Sequence, residues 1–227
     1  MAGKLIVIEG LDSSGKQTQT ERLCKVLNDN GIPVRKISFP CYESDSSALV
    51  KMYLAGKFGQ NAEDVNPFAA SSFYAVDRYA SYKTDWGKFY EDGGIVIADR
   101  YTTSNMIHQA GKISDLAERD KYLEWLYDYE FSYLGLPKPD KVLFLEMPPA
   151  VSERLMKERA NKITGQQEKD IHEKDKDHLS NSYNSALYVA EKFDWVKVSC
   201  VRDDNLRTIE DIHEELLSYT MNEIGVK

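Results

Sequence analysis

Residues Leu5-Ile6-Val7-Ile8-Glu9-Gly10-Leu11-Asp12-Ser13-Ser14-Gly15-Lys16-Gln17-Thr18-Gln19 decide the fold. Four apolar residues, mostly β-branched, stop at Glu9-Gly10, and the chain then crosses a short Gly/Ser segment into a stretch with helical spacing. A buried strand that turns at a glycine and opens a helix leaves several backbone N–H groups facing one small concavity, which suits a phosphate. Gly10, Ser13, Ser14, Gly15, Lys16, Gln17 and Thr18 are expected to form that cradle, with Lys16 adding a point charge. The pattern G-x-x-x-x-G-K-[ST] is met at Gly10, Gly15 and Lys16, whereas Gln17 stands where a hydroxyl ordinarily meets Mg²⁺. That departure weakens the expectation of a metal ligand but not that of a phosphate. The competing reading is a plain Gly/Ser-rich turn, but strand, glycines and lysine together favour the phosphate loop.

A chain of 227 residues, 42% hydrophobic and 29% charged, can bury the core of one α/β domain carrying at most a small insert. Its formal charge of −8 argues against a surface that coats nucleic acid, so the expected phosphorylated ligand is small and held by a few local cations. Cys24, Cys41 and Cys200 form no C-x-x-C pair, which signals neither a disulfide framework nor a zinc site and fits a reducing cytoplasm. No apolar run approaches the ~18 residues that span a bilayer, and the N-terminal run is too short for a signal peptide. Neither a membrane association nor export is expected.

Apolar runs at Leu5–Ile8, Val34–Phe39, Ile95–Ala98, Val142–Leu145 and Trp195–Ser199 read as strands. Between them lie helical spacings such as Leu23, Val26 and Leu27, or Ile209, Ile212, Leu216 and Leu217. The alternation predicts an α/β fold with a five-stranded parallel sheet covered by helices on both faces, in one domain over 1–227. Lys157 to Asp177 departs from this pattern. It carries six basic and six acidic residues and almost nothing apolar, so it is either an exposed charged helix or a lid that closes over phosphates.

In open α/β sheets the ligand lies at the carboxyl ends of the strands. After the third strand stand Asp99-Arg100-Tyr101 and then Thr102-Thr103-Ser104-Asn105. Charges at a buried strand end are costly unless paired or used, so this pair either ties the strand to a loop or serves a ligand. A second pair, Asp77-Arg78, closes Phe73-Tyr74-Ala75-Val76, and the spacing sets Tyr74 and Arg78 on one helix face. An aromatic ring one turn from an arginine can stack a base while the arginine holds a phosphate; a core tyrosine beside a solvated arginine is the alternative.

Together the segments Ile8-Glu9-Gly10-Leu11-Asp12 with Gly15-Lys16, Phe39-Pro40-x-Tyr42, Ala75-Val76-Asp77-Arg78, Asp99-Arg100-Tyr101 with Ser104-Asn105, Leu136-Pro137-Lys138-Pro139-Asp140 and Asp170-Ile171-His172-Glu173 resemble the thymidylate kinases. These are P-loop enzymes that transfer a phosphoryl group from ATP to dTMP. The resemblance spans nearly the whole chain and implies a three-layer P-loop fold with a mobile lid over about 157–177. It implies that Asp12 bonds the sugar 3′-hydroxyl, that Arg78 and Arg100 hold the acceptor phosphate, and that Asp99 sits beside the transferring phosphate and its Mg²⁺. Tyr74 would stack on the base with Phe39 alongside. Tyr42 would lie near the acceptor phosphate, Ser104, Asn105 and Gln109 would face the base edge, and Tyr101 would lie under C2′ of the sugar. The resemblance also implies a homodimer.

Two departures bear on that expectation. The stacking position is usually Phe, and the Tyr74 hydroxyl needs a partner, which bears on strictness for thymine. Some members carry an arginine at the place of Ser13; without it the catalytic cation is expected from the lid, from Arg159 or else Arg154. The metal would be held mainly by nucleotide phosphates, with Asp99 fixing its waters and the Gln17 amide oxygen as a looser ligand. Two rivals remain. A deoxynucleoside kinase on the same fold would use a base such as Glu43, although Arg78 would then lack a phosphate. A regulator with a damaged metal site would bind ATP without turning it over.

Overall fold

The computed structural model describes residues 3–162, 176–203 and 205–226, the side chains of 156–179 excepted. Residues 163–175, the middle of the charged segment Lys157–Asp177, lie outside the described residues, as do the side chains of the rest of that segment, Arg159 among them, and the lid expectation falls there. Five parallel strands form the central sheet: β1 (Lys4–Gly10), β2 (Val34–Ser38), β3 (Ile95–Asp99), β4 (Lys141–Glu146) and β5 (Val196–Ser199), in the order β2-β3-β1-β4-β5. Every predicted strand is present, with ends shifted by at most two residues. Phe39 and Trp195 fall just outside.

β1 lies in the middle, and its alternation divides the core. Leu5 and Val7 pack on one face with Trp86, Tyr101 and Phe144, while Ile6 and Ile8 pack on the other with Leu23, Ile97, Leu145 and Leu216. A strand covered on both faces must be apolar at every position, which is why β1 reads as a continuous run rather than an alternating one.

The helices follow from the same chain logic. α1 (Lys16–Asp29) opens at the end of the loop after β1 and buries Leu23 and Leu27 against the sheet. α2 (Ala48–Leu54) precedes α3 (Pro67–Ser81), whose start is set by Asn66 accepting from the Ala69 N–H and by Pro67 in the first turn. A π-helical turn at Tyr82–Trp86 leads into α4 (Gly87–Glu91). α5 (Thr102–His108) follows β3 almost without a loop, and α6 (Leu116–Tyr127) runs into a second π-helical turn at Asp128–Tyr133. α7 (Pro149–Lys162) and α8 (Lys176–Lys192) flank the charged segment, and α8 packs along α5.

α9 (Ile209–Glu223) closes the chain against α1. Its spacing was read from Ile209, Ile212, Leu216 and Leu217; Ile212 and Leu216 enter the core, but Ile209, the first helical residue, is exposed. A short hairpin of β6 (Val201–Arg202) and β7 (Asn205–Leu206) was not anticipated, because two-residue strands carry no periodicity to read. Among the described residues no helix is long and apolar enough to cross a membrane.

Candidate active site

The loop from Gly10 to Lys16 joins β1 to α1, and its shape explains its composition. Gly15 adopts φ 89° and Ser13 φ 60°, both in the left-handed region, so the loop turns inward at these two residues. At Gly10 a Cβ would stand 2.6 Å from Ser14 Oγ and 3.0 Å from the Leu145 carbonyl, so only glycine fits between β1 and β4. No side chain caps α1, which leaves the first-turn N–H groups directed at the loop. Lys16 is buried and its Nζ donates to the Leu11 carbonyl at 2.7 Å. Desolvation, reinforced by Arg100, lowers its pKa to about 8 against the opposing pull of Asp12, Glu9 and Asp99.

Gln17 and Thr18 are exposed on α1. The Gln17 amide nitrogen donates to Glu21 Oε1 at 3.1 Å, one turn along the helix, so the side chain expected near a metal is engaged with solvent-side charge instead. Ser13 sits in the loop, and the Ser14 hydroxyl is buried with no hydrogen-bond partner among the described residues.

β3 pairs with β1 in register Ile8 with Asp99, so the Asp99-Arg100 pair arrives beside the loop. Arg100 adopts φ 67° while its N–H donates to the Ile8 carbonyl at 3.2 Å. A left-handed arginine is held there only because the strand end and its side chain over-determine it. The guanidinium donates to Asp12 Oδ1 at 2.5 Å and, through Nη1, to Ser104 Oγ and His108 Nε2, each at 3.3 Å. Behind it lies Glu9, fully buried, whose carboxylate accepts from the Gly10 N–H at 2.9 Å, Thr103 Oγ1 at 2.6 Å and Ser104 Oγ at 2.8 Å. Burial raises the Asp99 pKa, and Lys16 and Arg100 partly offset that. Ser152 Oγ donates to the Asp12 carbonyl at 2.6 Å and ties this side of the site to α7.

Next to the loop opens a cleft of about 240 Å³, lined by Asp12, Phe39, Tyr42, Tyr74, Arg78, Arg100, Tyr101, Ser104, Asn105 and Gln109, with Pro40, Leu54 and His108 completing the wall. All ten of the side chains assigned to the acceptor from sequence therefore converge. Within the cleft their environments differ. Tyr42 is exposed, Phe39 is buried against Tyr101, and Tyr74 meets Tyr53 edge-on with ring centres 6.4 Å apart. Tyr101 is fully buried, and its hydroxyl donates to the Pro137 carbonyl at 3.1 Å, so a sugar could meet only a ring already packed into the core. Gln109 is buried with Oε1 unpartnered among the described residues.

The arginines separate. Arg78, fully buried, donates from Nε to Glu130 Oε2 at 2.7 Å and from Nη2 to Glu130 Oε1 and to Asn105 Oδ1. Burial works against its charge, but Glu130 more than offsets this and keeps its pKa above the ordinary value. The Arg78 charge is thus answered by a fully buried carboxylate, whereas Arg100, partly exposed, pairs with Asp12. Asp77, its sequence neighbour, accepts from the Cys41 N–H at 2.8 Å and ties the loop after β2 to α3.

Glu130, Glu9 and His108 were given no role from sequence. Glu9 had a readable signal, an acid closing the apolar run of β1; Glu130 had only its aromatic neighbours, Tyr129 and Phe131. Among the described residues no cluster of three or more His, Cys, Asp or Glu side chains forms a metal cage. Arg154, the second candidate cation, is exposed on α7.

A family model described as thymidylate kinase matches residues 8–215. The chain belongs to the thymidylate kinase family. A thymidylate kinase of Mycobacterium tuberculosis is 35% identical over 159 residues, covering 69% of this chain and 70% of its own, and one of Plasmodium falciparum is 26% identical over 95% of this chain and 88% of its own. Among solved structures, a thymidylate kinase of Candida albicans superposes with a TM-score of 0.66 at 23% identity, over 98% of this chain and 94% of that one, which establishes the shared fold.

Proposed function

We infer that this protein is a thymidylate kinase that transfers the γ-phosphoryl group of ATP to dTMP, giving dTDP and ADP. Family membership supports the activity, and one observation supports the geometry: a cleft of about 240 Å³ opens beside the phosphate loop, with Asp12 of the loop and Arg100 in its wall. The acceptor is a phosphate monoester whose second pKa is ~6, so it is largely ionised at neutral pH and needs no general base. Catalysis then rests on alignment and on countering the charge that gathers at the transferring phosphoryl group.

Lys16 faces the donor phosphates and Arg100 the acceptor phosphate, with Asp12 orienting Arg100 and meeting the sugar 3′-hydroxyl. Arg78, neutralised by Glu130, suits an uncharged carbonyl at the base edge better than a phosphate, and Asn105, Ser104 and Gln109 share that edge. Tyr74 and Phe39 flank the base ring, and Tyr101 backs the sugar. The family's chemistry calls for Mg²⁺. Asp99, with a carboxylate whose charge burial disfavours and a cation would favour, fits it; Gln17, bonded to Glu21, fits it less well. When bound with ATP, the metal would neutralise phosphate charge. A catalytic lid cation at Arg159 and a homodimer complete the proposal. Exposed Val76 and Tyr79 on α3 support a second copy, which light scattering of the purified protein would test.

The experiment is a coupled ADP-release assay with dTMP, thymidine or no acceptor. ADP release that depends on dTMP is expected. Equal rates with thymidine would turn the reading to a deoxynucleoside kinase, and no turnover with either would turn it to a nucleotide-binding regulator.

A further inference from the structure

His108 ends α5 on the wall of the acceptor cleft, and its two ring nitrogens face different elements. Nε2 lies 3.3 Å from Arg100 Nη1, and Nδ1 lies 3.2 Å from Ser182 Oγ on α8. A guanidinium carries donors only, so Nε2 must be the acceptor and the ring proton sits on Nδ1, donating to Ser182. Ser182 is itself fully buried, which anchors the imidazole against α8 rather than leaving it to turn in solvent. Arg100 is thus held on two sides: Asp12 at Nη2, and Ser104 with His108 at Nη1. Among the described side chains, His108 is the one that connects this arginine to α8.

We propose that His108 is a positioning residue for the acceptor phosphate: its Nε2 holds the Arg100 guanidinium in the orientation that meets the phosphate, and Ser182 holds the imidazole in the tautomer that can do so. The proposal rests on the reading of Arg100 as the acceptor-phosphate residue. It differs from a sugar- or base-contact role because its effect must depend on a phosphate being present.

Two polar variants separate these roles. In His108→Gln the amide oxygen can reach the position of Nε2 and accept from Arg100; in His108→Asn the shorter side chain keeps a partner for Ser182 but does not reach the guanidinium. Binding of dTMP and of thymidine is measured by calorimetry for both variants and the wild type. His108→Asn is expected to weaken dTMP about ten-fold, equal to about 1.4 kcal/mol, and to change thymidine by less than about two-fold. His108→Gln should recover most of the dTMP affinity. Ser182→Ala, which releases Nδ1, should weaken dTMP in the same direction by a smaller factor.

Loss of thymidine affinity equal to that of dTMP would make His108 a packing or sugar contact, and unchanged dTMP affinity in His108→Asn would remove the coupling; either overturns the proposal. A wild-type protein that does not bind dTMP would overturn the functional reading instead, a different and distinguishable result.

Discussion

The phosphate loop and the acceptor cleft touch each other yet are built on opposite principles. The loop is local: one stretch of chain supplies it, its donors are mainly backbone N–H groups, and its single buried cation, Lys16, leans on a carbonyl from the same turn. The cleft is assembled from afar. Arg78 on α3 meets Glu130 on the second π-helical turn, 52 residues away, and Arg100 meets Asp12 across 88. Charge in the loop is left partly uncompensated for a ligand to answer, whereas the deepest charge in the cleft, that of Arg78, is answered by Glu130 within the protein. A phosphate can therefore be held by a motif, but a base needs a fold.

Breaking the cleft should cost stability before it costs rate. Glu130→Ala leaves the Arg78 guanidinium buried without its carboxylate, and loss of one partner of a buried pair costs about 3–5 kcal/mol. Urea denaturation should register that loss, and a variant as stable as the wild type would mean that Arg78 finds another partner. The loop should respond the other way. Lys16→Ala is expected to lower kcat by a factor of about 100–1,000, as for removal of one preorganised charge partner, while the urea midpoint stays near that of the wild type. A retained kcat would detach Lys16 from the chemistry.

The depressed pKa of Lys16 sharpens the contrast further. In the protein without nucleotide the lysine loses its proton as pH rises through about 8, below its ordinary 10.5. A polyphosphate restores the charge, so ATP binding should take up a proton between those values and weaken as pH rises through 8. Calorimetry in buffers of different ionisation enthalpy measures that uptake; proton release at pH 9 would contradict it. The smallest effect belongs to Gln17. Because its hydrogen bond among the described residues goes to exposed Glu21, Gln17→Thr should alter stability by less than about 0.5 kcal/mol, keep the enzyme active, and lower the Mg²⁺ concentration for half-maximal rate. A dead variant would mean that Gln17 makes a catalytic contact besides its bond to Glu21.

The same contrast explains what could be read in advance. β1, the glycines and Lys16 announce themselves because strand, turn and helix start are consecutive in the chain. Asp99-Arg100 was legible as a costly pair at a strand end, though not as the left-handed arginine it became. That Arg78 would be neutralised was not legible, since Glu130 lies in a segment where an acid among aromatics reads equally well as solvated surface. His108 escaped for a related reason: its partners, Arg100 and Ser182, come from a strand end and from a helix 74 residues on. Periodicity carries the elements, while side-chain pairing between elements has no period.

The bond from Lys16 Nζ to the Leu11 carbonyl has one more consequence. A free lysine side chain has about 2 kcal/mol of rotamer entropy to lose when it is fixed on a ligand. Tethered across its own loop, Lys16 gives up much of that freedom when the chain folds, not when a phosphate arrives. An ammonium has three N–H bonds, and Leu11 takes one, so the tether leaves donors for a ligand. The ordering that a phosphate would otherwise have to impose on the longest side chain of the loop is already complete.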